Sequence, residues 1–500
     1  DKWRLMQQFV PPTYDMELEA GTMVYAPVST PPASSFFGSM AAQPQRVVSE
    51  PKWMLCEVQG RAVAGEYVQV MAYSTRNTIQ VPFEDLKLAR PEDQFLLTVM
   101  QGDPAAIAQS LESTGADVNT RDITGNTALN LICEVGNKEA AVFLLENGAN
   151  PNIPNLKGST PLITASTRGQ VDLVNVLLDY GARVNKALPD GKTPLYQAVA
   201  AGHTAVAERL LERGARPNQL TDRNFSPLFM ACQAGDATMV KLLLAHGAAW
   251  TMNVAADLGQ GKATPLFMAA QKGQLGIVQA LAEAGVDLDK GTVGKNRASP
   301  LMVAAQNGNA PIASYLLQCG ADPDKKIRDG SAAINLAIQF GHMAVVQALA
   351  DGGANLDNQD KRGFTPLHMA VQSKQPRMIE ILLDGGADAN YFSLHNRLSP
   401  LLLALHQAKE NGGPLDVAKM LIPASARELH VCDRDGHNAF YVGVLACKGV
   451  RDRELILQML RTGANPFEVT RPTGGPRRPQ PTADIWEACA KADRHDLAFI

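Results

Sequence analysis

Apolar residues recur along most of this chain with the spacing of short helices, and the same spacing returns from one segment to the next. Segment 190–218 shows the pattern: two apolar stripes are separated by a Gly-His pair and closed by a Gly-Ala pair. The stripe positions are Leu195, Ala198 and Val199, followed by Val206, Leu210 and Leu211. Apolar side chains three and four residues apart lie on one face of a helix, so each segment is predicted to hold two short amphipathic helices.

The residues that flank these stripes are typical helix boundaries. Thr193 is placed to cap the first helix, and Pro194 falls in its first turn, where a missing N–H has no cost. Gly214 follows the second stripe, at a position that favours left-handed backbone angles. Residues 216–224 are then predicted to cross to the next segment as an extended hairpin.

The segment repeats in register from residue 127 onward, with steps of 33 to 38 residues. The first residues of the Thr/Ser-Pro-Leu triplets and their variants are Thr127, Thr160, Thr193, Ser226, Thr264, Ser299, Ala332, Thr365 and Ser399, with weaker copies at Asn438 and Ala483. The glycine of the Gly-Ala pair keeps the same period between Gly115 and Gly386 and returns at Gly463. Two markers in one register indicate a repeat protein, in which each unit buries its faces against its neighbours.

A period near 33 residues with a T-P-L-H-x-A signature resembles the ankyrin repeat. The resemblance covers roughly residues 92–500, or about twelve units including a degenerate first one. It implies a mainly α fold, an ankyrin-repeat α-solenoid with hairpin fingers, over residues 91–500.

Residues 1–90 lack the repeat. We expect an irregular segment over 1–20 and a small all-β domain over 21–90, with a long Pro/Ser-rich loop at 29–51. Alternation and β-branched residues predict four strands, which lie within 21–28, 52–63, 66–74 and 77–89. Their pattern resembles a Src-homology-3-like barrel, similar to the amino-terminal barrel of myosin motors and to Tudor or Agenet modules.

Surface aromatic residues bind peptides or modified side chains in barrels of this kind. The candidates are Tyr25, Trp53, Tyr67, Tyr73 and Phe83. The alternative is that these rings fill the barrel, which then serves as a structural cap at the start of the repeats.

Composition and charge narrow the class of partner. The chain is 45% apolar, and its 46 basic and 50 acidic residues give a net charge of -4, so neither nucleic acid nor an anionic membrane is expected. No apolar run reaches the roughly 18 residues of a membrane helix. Seven scattered cysteines without a CxxC pair indicate reduced thiols, hence an intracellular, cytoplasmic protein. No signal peptide is predicted, and both ends resemble cut ends of a longer protein.

No catalytic constellation or metal motif is recognisable, so the sequence predicts no enzyme, cofactor, metal or small-molecule substrate. The family resemblance implies that His203, His342 and His368 bond to backbone and tie adjacent units. Cys133, Cys232 and Cys489 share one slot of the first helix and are interpreted as small buried fillers.

Two features favour a partner-binding surface. One is a row of glutamines at a single repeat position, which offers adaptable donors and acceptors to a peptide; the alternative is a solvated polar row. The row consists of Gln233, Gln271, Gln306, Gln339 and Gln372. The other is the enlarged hairpin 248–265, where Trp250, Met252 and Val254 either form an exposed apolar finger or fold back on their neighbours.

The sequence therefore predicts a non-enzymatic scaffold that binds protein partners, or a larger multi-subunit assembly, in its groove and at its hairpin tips. The alternative is the regulatory or targeting part of a longer enzyme, motor or channel.

Overall fold

A computed structural model describes residues 91–464, apart from 260, 294–296, 395–396, 412–414, 428 and 448–451, and the backbone of five strands between residues 23 and 88. Side chains are described from Gln94 onward. The chain divides into two compact units, Asp1–Gln219 and Leu220–Ile500.

The first unit begins with an antiparallel sheet. Its strands are β1 (Met23–Pro27), β2 (Trp53–Val58), β3 (Tyr67–Ala72), β4 (Thr78–Pro82) and β5 (Lys87–Leu88), in the spatial order β4-β3-β2-β1-β5. Each strand lies in a segment that the alternation predicts, and the last segment divides into β4 and β5. Closure of this sheet into a barrel stays a prediction, as do the boundaries at residues 20 and 90.

Helix pairs follow the sheet. The first helices of the pairs are α1 (Pro91–Gln101), α3 (Ala128–Val135), α5 (Pro161–Arg168), α7 (Pro194–Ala200), α9 (Pro227–Ala234), α11 (Pro265–Gln271), α13 (Pro300–Gln306), α15 (Ala333–Gln339), α17 (Pro366–Gln372), α19 (Pro400–Asn411) and α21 (Ala439–Ala446). The second helices are α2 (Pro104–Thr114), α4 (Lys138–Glu146), α6 (Val171–Asp179), α8 (Thr204–Glu212), α10 (Ala237–Ala245), α12 (Leu275–Glu283), α14 (Ala310–Gln318), α16 (Met343–Asp351), α18 (Pro376–Asp384), α20 (Asp416–Leu421) and α22 (Arg453–Thr462). A predicted last unit, within 465–500, lies outside the described residues.

The predicted helix boundaries are confirmed in segment 190–218. The Thr193 hydroxyl accepts a hydrogen bond from the Tyr196 N–H at 3.1 Å, which satisfies a donor that the helix itself leaves free. Gly214 has φ +84°, the left-handed angle that the pattern predicts. All six predicted stripe residues, from Leu195 to Leu211, are buried.

The core of each of the two compact units forms where the first helices of successive repeats stack on one another. In the second unit α9 packs on α11, α11 on α13, α13 on α15, α15 on α17, α17 on α19 and α19 on α21. Fully burying one leucine in such a seam contributes about 1.5–3 kcal/mol. Cys133 and Cys232 are fully buried in these seams, which confirms their interpretation as fillers; Cys489 lies outside the described residues.

The enlarged hairpin begins with a 3-10 helix, Ala248–Thr251, and continues into a two-stranded ladder of Ala256–Asp257 and Lys262–Ala263. Trp250 is 68% exposed, but Met252 is only 4% exposed. The prediction of an exposed finger is therefore wrong for Met252, because the 3-10 turn directs this side chain into the core. Val254 is half-buried.

Candidate partner-binding surface

The five glutamines occupy the carboxyl-terminal ends of successive first helices in the second unit. Gln271, Gln306, Gln339 and Gln372 are the last residues of α11, α13, α15 and α17, and Gln233 is next to last in α9. All five side chains are exposed. None forms a side-chain hydrogen bond to the described part of the chain, so their amides are free to bind another molecule. We call these residues the glutamine row.

Side chains of the following repeat bond to the backbone carbonyl oxygens of two residues in this row and hold them in place. The Asn307 side-chain amide donates to the carbonyl oxygen of Gln271 at 3.0 Å, and Nε2 of His342 lies 3.0 Å from the carbonyl oxygen of Gln306. In the first unit, Nε2 of His203 lies 3.1 Å from the carbonyl oxygen of Thr167. The predicted role of His203 and His342 in tying adjacent units is therefore confirmed.

His368 joins units through a buried site. Its Nδ1 lies 2.8 Å from the Thr365 hydroxyl, and its Nε2 lies 2.8 Å from the carbonyl oxygen of Leu398. Burial lowers the pKa of His368 to about 4, because the charged imidazolium loses its hydration there. The ring is therefore neutral at pH 7, as a structural tie requires.

A groove with a volume of about 460 Å³ lies beside the glutamine row. Gln339 and Gln372 line it together with Met369. Ser373 and hairpin residues complete the lining; the hairpin residues are Asp329, Ser331, Asp360, Lys361 and Arg362. Adjacent hairpins are joined, since the Lys361 N–H donates to the carbonyl oxygen of Asp329 at 3.0 Å. The side of the groove is thus a connected edge of backbone.

Exposed cations concentrate on four successive hairpins, residues 290–298, 325–331, 359–364 and 391–398. We call them the cationic tips: Lys290, Arg297, Lys326, Arg328, Lys361, Arg362 and Arg397. Within these ranges Asp329 is the one exposed carboxylate that the structure describes, since Asp360 is buried against the Arg362 guanidinium at 2.9 Å. The residues just before these ranges add three exposed carboxylates, which are Asp287, Asp322 and Asp388. No motif in the sequence points to these cations, although a count of charges at the aligned hairpin positions shows them.

The other predicted surfaces are placed differently. Trp250 is exposed on its 3-10 helix, outside the groove lining. Strands β1, β2 and β3 include Tyr25, Trp53 and Tyr67, whose side chains lie outside what the structure describes, as does Tyr73.

The comparisons agree with this architecture. A family model for ankyrin repeats (3 copies) matches residues 95–187, 143–221, 195–292, 250–327 and 301–393. These overlapping segments cover more than half of the 500 residues, and the chain belongs to the ankyrin-repeat family. A search of curated proteins finds no match to the chain. None of the described helices is both long and apolar enough to cross a membrane. Ankyrin repeats are generally non-catalytic modules for protein–protein interaction, which is the class of function that this family indicates.

Proposed function

We propose that this chain is a non-enzymatic scaffold whose second unit binds an extended, acidic peptide segment of a protein partner. The segment lies along the glutamine row and against the cationic tips. The observation that carries the proposal is the row itself: five exposed, unpaired amides stand at one repeat position on helices that stack in succession.

The row is suited to a peptide backbone. An amide side chain both donates and accepts, so glutamines at a regular spacing can pair with backbone N–H and C=O groups whatever the peptide sequence. An extended peptide needs such partners all along its length. The row therefore supplies affinity without strong sequence preference.

The cationic tips make the surface prefer acidic peptides. Lysine and arginine heads along one side of the groove attract carboxylates and repel basic segments, so acidic side chains on the peptide are favoured. The net charge of -4 argues against a long-range field around the whole chain, so the selection acts locally at the hairpins. Trp250, Val254 and the predicted aromatic residues of the amino-terminal sheet stay candidates for a second contact.

The test is a selection of random displayed peptides on the purified 500-residue chain, followed by affinity measurements for an enriched peptide. We expect Asp and Glu to be enriched. Lys326→Glu combined with Arg328→Glu should weaken binding by at least about tenfold, and the loss should shrink as salt is raised. The matched control is Lys241→Glu with Arg377→Glu, which makes the same charge change on the second helices α10 and α18.

The glutamine row is tested separately. Gln306→Ala, Gln339→Ala and Gln372→Ala together should weaken the same peptide, whereas Gln347→Ala on α16 should not. Enriched peptides without acidic residues, or equal affinity for the triple variant and the wild type, would overturn the proposed surface.

A further inference from the structure

Asp433, Asp435 and His437 form a cluster where the tenth described helix pair contacts the eleventh, and His406 contacts the cluster through Asp433. Helix α19 carries His406 at the repeat position that glutamine takes in the five preceding units. Asp433, Asp435 and His437 lie in the hairpin before α21, and their ligand atoms are within 4.8 Å of one another. His406 and the cluster therefore come from different repeat units.

Asp433 is the centre of the cluster. Its Oδ2 lies 2.9 Å from Nε2 of His406 and 3.7 Å from Nδ1 of His437. The carboxylate is nearly buried, with a side-chain exposure of 3%. One buried oxygen thus faces an imidazole nitrogen from each of two repeat units.

The other oxygen of Asp433 fixes this orientation. Oδ1 accepts hydrogen bonds from the N–H groups of Asp435 at 2.9 Å and His437 at 2.8 Å. The same turn occurs at Asp360, but there the second oxygen bonds to the Arg362 guanidinium at 2.9 Å. The second oxygen of Asp360 thus faces a guanidinium, whereas that of Asp433 faces two imidazole nitrogens, which can bind a metal when they are neutral.

The ring of His437 is also held in position. It stacks on Tyr441 with centroids 4.7 Å apart and an interplanar angle of 3°. Asp435, the fourth group, is exposed and so can move toward a bound ion. The hairpin therefore offers two oriented ligands, Asp433 and His437, and one adjustable ligand, Asp435, while His406 reaches them through its contact with Asp433.

We propose that these four side chains bind a divalent cation of the zinc type. His406 Nε2, His437 Nδ1 and Asp433 Oδ2 are the ligands, and Asp435 or a water completes a tetrahedron. Bonds of about 2.0–2.1 Å place tetrahedral ligand atoms about 3.3 Å apart. The present separations from Asp433 Oδ2, 2.9 and 3.7 Å, lie on either side of that value. His406 lies outside the group of atoms that are all within 4.8 Å of one another, so its ring has to shift when the ion binds.

The ligand types set the choice of metal. Imidazole with carboxylate suits zinc, nickel or copper, whereas calcium and magnesium prefer oxygen ligands alone. The ordinary alternative is a hydrogen-bonded His406–Asp433 pair with no ion. A bound cation would replace that hydrogen bond and cross-link two repeat units, which would stabilise the second unit near α19 and α21.

The experiment is a titration of the chelator-treated, reduced 500-residue chain with Zn²⁺, followed calorimetrically, and with Co²⁺, followed by visible absorption. We expect a site whose affinity falls at least about tenfold in His406→Gln, which installs the glutamine of the preceding units, and in Asp435→Asn. The control for loss of a histidine elsewhere is His246→Gln, which should leave the titration unchanged. The seven cysteines can also bind zinc, and the cobalt spectrum distinguishes them from the proposed site. Far-UV circular dichroism checks that each variant folds.

Cobalt identifies the ligands. Tetrahedral nitrogen and oxygen ligation should give visible bands without a sulfur-to-cobalt charge-transfer band, and these should disappear in His406→Gln. Unchanged affinity in both His406→Gln and Asp435→Asn would overturn the proposal. So would a cobalt spectrum that shows thiolate bands and is lost only in Cys432→Ser.

Discussion

Nε2 of His342 lies 3.0 Å from the carbonyl oxygen of Gln306, the last residue of α13 in the preceding unit. The ring reaches that carbonyl by passing over Gly308, which has φ +76°. A Cβ on Gly308 would lie 2.7 Å from Nδ1 of His342. The contact that ties two units and supports the glutamine row therefore depends on a glycine without a side chain.

Gly308→Ala should destabilise the second unit by more than Gly320→Ala does. Both positions have left-handed angles, which disfavour alanine by roughly 1–2 kcal/mol, but Gly320 faces open space. The clash with His342 adds to the cost only at Gly308. Thermal unfolding of the two variants measures the difference, and equal midpoints would show that the ring moves aside freely.

Acidification should weaken the protein through His368. Its pKa is about 4 in the folded state and 6.5 in a model peptide, so the unfolded chain binds the proton more readily between these values. The stabilising effect of the neutral ring is complete above pH 6.5 and is lost as the pH falls toward 4. From pH 7 to pH 5 the loss is about 2 kcal/mol.

Denaturant unfolding at pH 7 and pH 5 checks this sign and size. His368→Met is the reference, because Met302 occupies the same position two repeats earlier and a methionine does not titrate. The variant should lose less stability than the wild type over this interval. An identical pH dependence in both proteins would mean that His368 is not the responsible group.

Much of the fold could be predicted because the repeat depends on local contacts. Thr193, Pro194 and Gly214 specify helix ends by short-range rules, and Leu195 and Leu211 reveal their burial by spacing alone. Met252 could not be placed, because its burial depends on the 3-10 turn that precedes it. His406 and Asp433 are 27 residues apart, and their contact follows from how two units stack rather than from either segment.

Ala332→Thr should stabilise the second unit. Ala332 is the N-cap residue of α15, at the one position from Thr127 to Ser399 where the repeat lacks a capping hydroxyl. At the equivalent Ser299, the hydroxyl accepts from the Met302 N–H at 3.3 Å. A threonine at 332 would offer the same bond to the Asn335 N–H, with a gain of about 0.5–1 kcal/mol.

Ala332→Val is the control, since it adds similar bulk without a hydroxyl. We expect its unfolding midpoint to fall below that of Ala332→Thr. If valine stabilised the protein as much as threonine, the gain would come from filled space and not from capping.

Cysteine labelling should separate the filler thiols from the surface thiols. Cys133 and Cys232 are fully buried, and burial raises the pKa of each thiol above its ordinary value, so the reactive thiolate is suppressed. Cys319 is exposed at the end of α14. Brief alkylation of the native protein, followed by peptide mass spectrometry, should modify Cys319 while Cys133 and Cys232 react only after denaturant is added. Modification of Cys232 at the rate of Cys319 would mean that the stacked helices of the second unit open under native conditions, which is incompatible with the packing that holds the glutamine row in place. Modification of Cys133 at that rate would mean the same opening in the first unit.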